Sequence, residues 1–218
     1  MKSSRAALID RGFLEKDSES TYLGLSFDEK LKLLRSPIAV ERTLGAKLLC
    51  SENPEISVLH LIEALKTEKK LYSKIEICNT LVSFGHTSAK PLIEQLGKIG
   101  NNQHKTVPQE KFRKKSYPLP RDIAARTLAN IGTVVLPDLL KTLSTRSVSQ
   151  LSEAIDAIGH ICFYNYQNGI FEHLFQCFER NQEHELIRWK LVRAMSAFPE
   201  SEIFLKKQLL FCTFVVDL

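Results

Sequence analysis

The stretch RDIAARTLANIGTVVLPDLLKTL, Arg121 to Leu143, writes a short apolar run, stops at Ile131-Gly132 and begins a second apolar run at once. Ile123, Thr127, Leu128 and Ile131 recur at spacings of three and four, the period of one face of a helix. Glycine at a helix end relieves the strain of a left-handed residue, and Pro137 suits a first helical turn, where the missing N–H costs little. The stretch therefore predicts two short helices joined at Gly132. Neither can cover its apolar face within one hairpin, so the faces must stack on neighbours.

The phrase recurs. RTLGAKLL (Arg42 to Leu49), NTLVSFG (Asn79 to Gly85), RTLANIG (Arg126 to Gly132), EAIDAIG (Glu153 to Gly159) and RAMSAFP (Arg193 to Pro199) align on Leu44, Leu81, Leu128, Ile155 and Met195. These anchors fall 37, 47, 27 and 40 residues apart, in the range of two-helix repeats once one inserted loop is removed. A further helical pattern precedes each: Phe27 to Ser36, Glu55 to Thr67, Ala89 to Ile99, Val135 to Leu143 and Ile170 to Arg180. Pro37, Pro54, Pro91 and Pro137 lie in or just before first turns. Only the terminal FCTFVVDL hints at strand-like patterning.

FGHTSAKPLIEQLGKIG and IGTVVLPDLLKTL resemble the junctions of HEAT repeats, particularly the short HEAT-like repeats of the phycobilisome-lyase type. The resemblance runs from about Phe27 to Pro199. It implies an all-α solenoid of about five stacked hairpins, a right-handed superhelix whose second helices line the concave side. Scaffolds, lyase subunits and hydroxylases share that architecture, so the fold alone does not select among them.

A chain of 218 residues with 44% hydrophobic and 25% charged residues can bury a sizeable core, and the expected organisation is one domain over residues 1–218. The five cysteines are scattered through apolar stretches with no Cys-x-x-Cys pair, the usage of buried hydrophobes in a reducing compartment. No apolar run approaches the roughly 18 residues of a membrane span, and the start lacks the apolar core of a signal peptide. A cytoplasmic location follows as an expectation. The six histidines offer no ligand set, and His184-Glu185 stands alone where the HEAT-like hydroxylase has several such dipeptides. Phosphate-binding loops, a nucleophile elbow and paired catalytic carboxylates are absent from the pattern, so no enzyme, cofactor or metal is expected. Glu76, Asp122, Glu153, Asp156 and Glu185 read as solvated helix faces.

Two features point to a partner. Residues 101–121, NNQHKTVPQEKFRKKSYPLPR, form an insertion too long and polar for an ordinary helix connection. Its bases Lys105, Lys111, Arg113, Lys114, Lys115 and Arg121 oppose the single acid Glu110, so its +5 equals the charge of the whole chain. Such a field suits an acidic protein first and nucleic acid second. As a polar loop it is expected to be dispensable for folding. The single tryptophan is the other feature: with Ile187, Leu191, Ala194 and Phe198 as the core stripe, Trp189 projects about 200° from Ile187. Glu185 and Arg193 are its neighbours one turn away, with Arg193 placed to lie over the indole and Glu185 to hold the arginine or meet the partner.

The expected function is a non-enzymatic scaffold for another protein, with Trp189, Arg193, Glu185, Lys111, Arg113, Lys114 and Lys115 as contact residues. The alternatives are a nucleic-acid-binding module using the basic insertion and an accessory subunit of a modifying enzyme such as a lyase. The apolar end KKQLLFCTFVVDL adds self-association as a further expectation.

Overall fold

A computed structural model describes residues 4–15, 22, 24–108 and 116–206, so Lys111, Arg113, Lys114, Lys115 and the terminal FCTFVVDL lie outside the described residues. Among the described residues all regular structure is helical, and the chain divides into two compact units, Met1–Leu92 and Ile93–Leu218.

The first unit contains α1 (Arg5–Asp10), α2 (Phe27–Leu34), α3 (Ala39–Leu48), α4 (Pro54–Thr67), α5 (Leu71–Ser83) and most of α6 (Ala89–Ile93). Local chemistry sets several starts. Ser26 and Glu29 form a reciprocal capping box on α2, and Asn53 caps α4 with Pro54 in its first turn. Helix α3 packs on α2 and α5, while α4 backs α5. Gly45 permits the α2 crossing, since a Cβ there would lie 2.4 Å from the Leu34 amide nitrogen. Hydroxyls tie α5 to α3: Ser73 Oγ donates to the Ala39 carbonyl and Thr80 Oγ1 to that of Ala46, each at 2.9 Å.

The second unit contains α7 (Ile123–Ile131), α8 (Leu136–Thr142), α9 (Val148–Tyr164), α10 (Ile170–Arg180) and α11 (Glu185–Met195). Helix α7 starts on the Asp122 cap and stops at Gly132, whose φ of 91° only glycine adopts without strain. Helix α9 lies between α7 and α11 and is backed by α8, while α10 backs α11. Residues 151–159 of α9 are buried on every side, which explains why EAIDAIG sits in so apolar a helix.

One helix is shorter than its pattern predicts. The Ala89 to Ile99 run is helical only to Ile93 and continues as turns, in which Gly97 adopts φ 74° and passes close to Ser149, where a Cβ would meet the serine Cβ at 2.8 Å.

Gly45→Ala improves intrinsic helix propensity by about 1 kcal/mol yet is expected to destabilise the chain by about 1–3 kcal/mol, because backbone rather than a movable side chain fills the space. Urea unfolding followed by circular dichroism checks the sign; equal or greater stability contradicts this close crossing.

Candidate functional site

In the row α7, α9 and α11, helix α11 carries Trp189, Arg193 and Glu185, and the second unit builds its main polar cluster there. Ile187, Leu191, Ala194 and Phe198 are buried as their spacing predicts, and Trp189 is left half-buried beside them. Arg193 lies over the indole, with its guanidinium carbon 4.2 Å from the ring centroid. Its carboxylate partner is Asp156 of α9, which accepts from Arg193 Nη2. Glu185 is exposed in the first turn of α11, where its charge suits the helix dipole. The role expected for Glu185 in holding Arg193 thus falls to Asp156. Two helical turns separate Glu185 from Arg193, about 12 Å of rise, whereas Asp156 faces the arginine across the helix contact.

Lys190, one residue from the tryptophan, is fully buried. Its Nζ donates to Glu153 Oε1 at 2.8 Å and to the Ser152 carbonyl at 3.3 Å, and lies 3.0 Å from Asp156 Oδ2. Two cations and two carboxylates therefore bridge α9 and α11 with no net charge. Burial pushes the Glu153 carboxyl up despite Lys190, and Glu153 Oε2 is buried with no hydrogen-bond partner. Asp122, also buried, accepts from Ala125 N at 2.8 Å, Gly97 N at 3.2 Å and Gln103 Nε2 at 2.7 Å. Glu153, Asp156 and Asp122 are thus interior groups, not the solvated faces their polarity predicts. The signal for the first two was their place in an otherwise apolar helix, at the same i, i+3 spacing as Lys190 and Arg193.

The insertion is the second departure from expectation. Its two described limbs, residues 101–108 and 116–121, pack on this row instead of standing in solvent. Gln103 ties the first limb to Asp122, and His104 sets its ring edge-on to Trp189, with centroids 5.2 Å apart. On the second limb Tyr117 is buried, resting on Phe163 at 5.3 Å and His160 at 6.2 Å. Gly159 opens the space for it, since a Cβ there would lie 2.1 Å from Tyr117 Oη. His160 Nδ1 lies 3.2 Å from the Pro118 carbonyl, and because a carbonyl only accepts, that nitrogen carries the proton. Arg126 Nε donates to the Pro120 carbonyl at 3.0 Å. Removing residues 101–121 would therefore uncover apolar and ionic groups, so loss of the insertion is expected to destabilise the second unit instead of leaving it unchanged. It is also the insertion, through His104, that partly covers Trp189.

Lys105 and Arg121 are exposed on the two limbs, and Lys111, Arg113, Lys114 and Lys115 belong to the same insertion outside the described residues. No group of three or more metal-binding side chains converges among the described residues. Comparison with protein-family models, curated proteins and solved structures finds no match to this chain.

Two outcomes test the cluster. Lys190→Met leaves two buried carboxylates without their shared cation, a change that typically costs about 3–5 kcal/mol. The deficit relative to wild type should shrink between pH 7 and pH 4.5, because protonating Glu153 removes the stranded charge. A pH-independent deficit in urea titrations would argue against an ionic role. His104 is held down to about 4 by burial and by the Lys190 charge. Its folded value lies below its unfolded one, so the unfolded chain binds the extra proton and stability falls as pH drops from about 6.5 through about 4. Nuclear magnetic resonance titration of the His104 ring should give that depressed midpoint; a value near 6.5 would place the ring away from Trp189.

Proposed function

We propose that this chain is a HEAT-like α-solenoid serving as a non-enzymatic scaffold, and that its second unit binds an acidic segment of another protein on the surface formed by Trp189, Arg193 and the basic insertion. Support for the repeat reading comes from packing within each unit. Helix α3 lies on α5, α7 on α9 and α9 on α11, while α2 lies on α3 and α4, α8 and α10 back α5, α9 and α11. This is the pairing expected of stacked hairpins. A cytoplasmic setting belongs to the same proposal and rests on the scattered cysteine usage.

The observation that carries the binding site is the edge contact of His104 with Trp189. Two features separated by some 70 residues of sequence, a cationic insertion and a half-exposed indole, occupy one place. Arg193 is neutralised by Asp156, so attraction for an anionic partner falls to the insertion. Glu185, exposed at the start of α11, would then disfavour partners of its own sign at that end and orient the bound segment.

One observation favours nucleic acid as a second reading. Phe163 and Tyr164 are 42% and 54% exposed beside Tyr117, and exposed rings beside a cationic segment can stack on bases.

Capture from a nuclease-treated native lysate, read by mass spectrometry, tests the choice. Full-length bait should retain a protein with an acid-rich segment. Bait carrying Lys111→Glu, Arg113→Glu, Lys114→Glu and Lys115→Glu should lose it, as should Trp189→Ala, with both variants still folded. Equal capture by the charge-reversed bait would refute the site, and capture abolished by nuclease would select the nucleic-acid reading.

A further inference from the structure

Helix α10 presents a second surface, independent of the Trp189 site. An open groove of about 600 Å³ is floored by Phe171, Phe175, Phe178 and Phe204 and rimmed by Glu172, Glu179 and Glu200. The helix sequence makes this groove directly. Phe171, Phe175 and Phe178 fall at i, i+4 and i+7, while Glu172 and Glu179 fall seven residues apart on the adjoining row. The floor is built as an aromatic set. Phe171 and Phe175 stack at 6.1 Å, and Phe204 meets Phe175 and Phe178 edge-on at 5.7 and 4.9 Å. Phe171 and Phe175 remain only half-buried, and Ile203 on the margin is 72% exposed.

The rim has one sign. Three glutamates line the groove with no lysine or arginine among the lining residues. Tyr166 donates to Glu200 at 2.5 Å and holds its carboxyl below the ordinary range, which keeps it charged. Gln176 Nε2 donates to Glu172 Oε1 at 2.9 Å and fixes that carboxylate beside the rings. At the edge, the Arg188 guanidinium already lies 5.9 Å over Phe178, an internal example of a cation received by this floor.

We propose that the groove docks a helix of a partner protein that carries an apolar stripe flanked by lysine and arginine. The apolar stripe would fill the space among the phenylalanines, and the flanking cations would meet the glutamate rim. Charge selects this occupant over the nearer ones. Residues 207–218 of this chain bring one cation, Lys207, and one anion, Asp217. The insertion of a second copy is cationic enough, but Pro108, Pro118 and Pro120 break it and its apolar residues follow no helical row.

The test uses the full chain and a labelled synthetic peptide of about 18 residues, with leucine at helical spacing and lysine on the flanks, read by fluorescence anisotropy. A matched peptide with glutamate on the flanks is the control. The lysine peptide should bind and the glutamate peptide should not. The pair Glu172→Lys and Glu179→Lys, both at exposed positions, should weaken binding about tenfold or more while the melting curve is retained. Phe175→Ala should do likewise, whereas Glu55→Lys, a charge change of the same sign in the other unit, should leave binding unchanged. Equal affinity of the two peptides, or of wild type and the rim variant, would overturn the proposal. So would a rise of about tenfold in affinity on Phe211→Ser with Phe214→Ser, which would identify the chain's own end as the occupant. A dimer dissociated by the peptide would identify a second copy and equally overturn it.

Discussion

The second unit depends on a buried ammonium. Lys190 enters the contact between α9 and α11 without solvent, a position tolerable only because Glu153 and Asp156 meet it from the facing helix. Such a cluster is a poor source of net stability, since desolvating four ionic side chains offsets much of their mutual attraction. Its contribution is specificity. Ridges of Ile and Ala can slide past one another at modest cost, whereas a slip of one turn between these helices would strand charges in an apolar interior.

That fixed pairing propagates outward. Asp156 is shared between Lys190 and Arg193, so placing the lysine also places the arginine, and the arginine in turn supports the face of Trp189. His104 closes on the edge of the same indole, and Tyr117 passes through the space left by Gly159 against Ala194 of α11. The insertion is therefore held at both limbs by consequences of one helix register.

The helices were legible in sequence because their signals are local. Gly132, Pro54 and the stripe Ile187, Leu191, Ala194 and Phe198 act through neighbouring residues and one period. The projection of Trp189 from that stripe and the reach of Arg193 to the indole were legible for the same reason. The burial of Lys190, Glu153, Asp156 and Asp122 was not, because polarity predicts exposure and only the pairing of helices reverses it. The insertion misled similarly. Its lysines describe the middle, while its anchoring depends on Gln103, His104 and Tyr117, whose partners lie on other elements. A tyrosine in a polar loop gains meaning only once Gly159 is seen to leave it a place.

Electrostatics then separates what this surface can attract from what it can hold. The interior cluster is neutral, His104 is uncharged near neutral pH, and the chain outside residues 101–121 carries no net charge. The net positive charge of the chain thus lies in the insertion. Exposed cations of that kind steer encounter and are screened within about 8 Å at physiological salt. Residence, in contrast, depends on desolvated contact, which here the indole, the guanidinium over it and the neighbouring rings can provide. Charge reversal in the insertion should therefore act chiefly on association rate, and loss of the indole chiefly on dissociation rate. The aromatic groove at α10 differs in layout, because two of its rim glutamates, Glu172 and Glu179, border three of its floor phenylalanines, Phe171, Phe175 and Phe178, on adjacent rows of one helix.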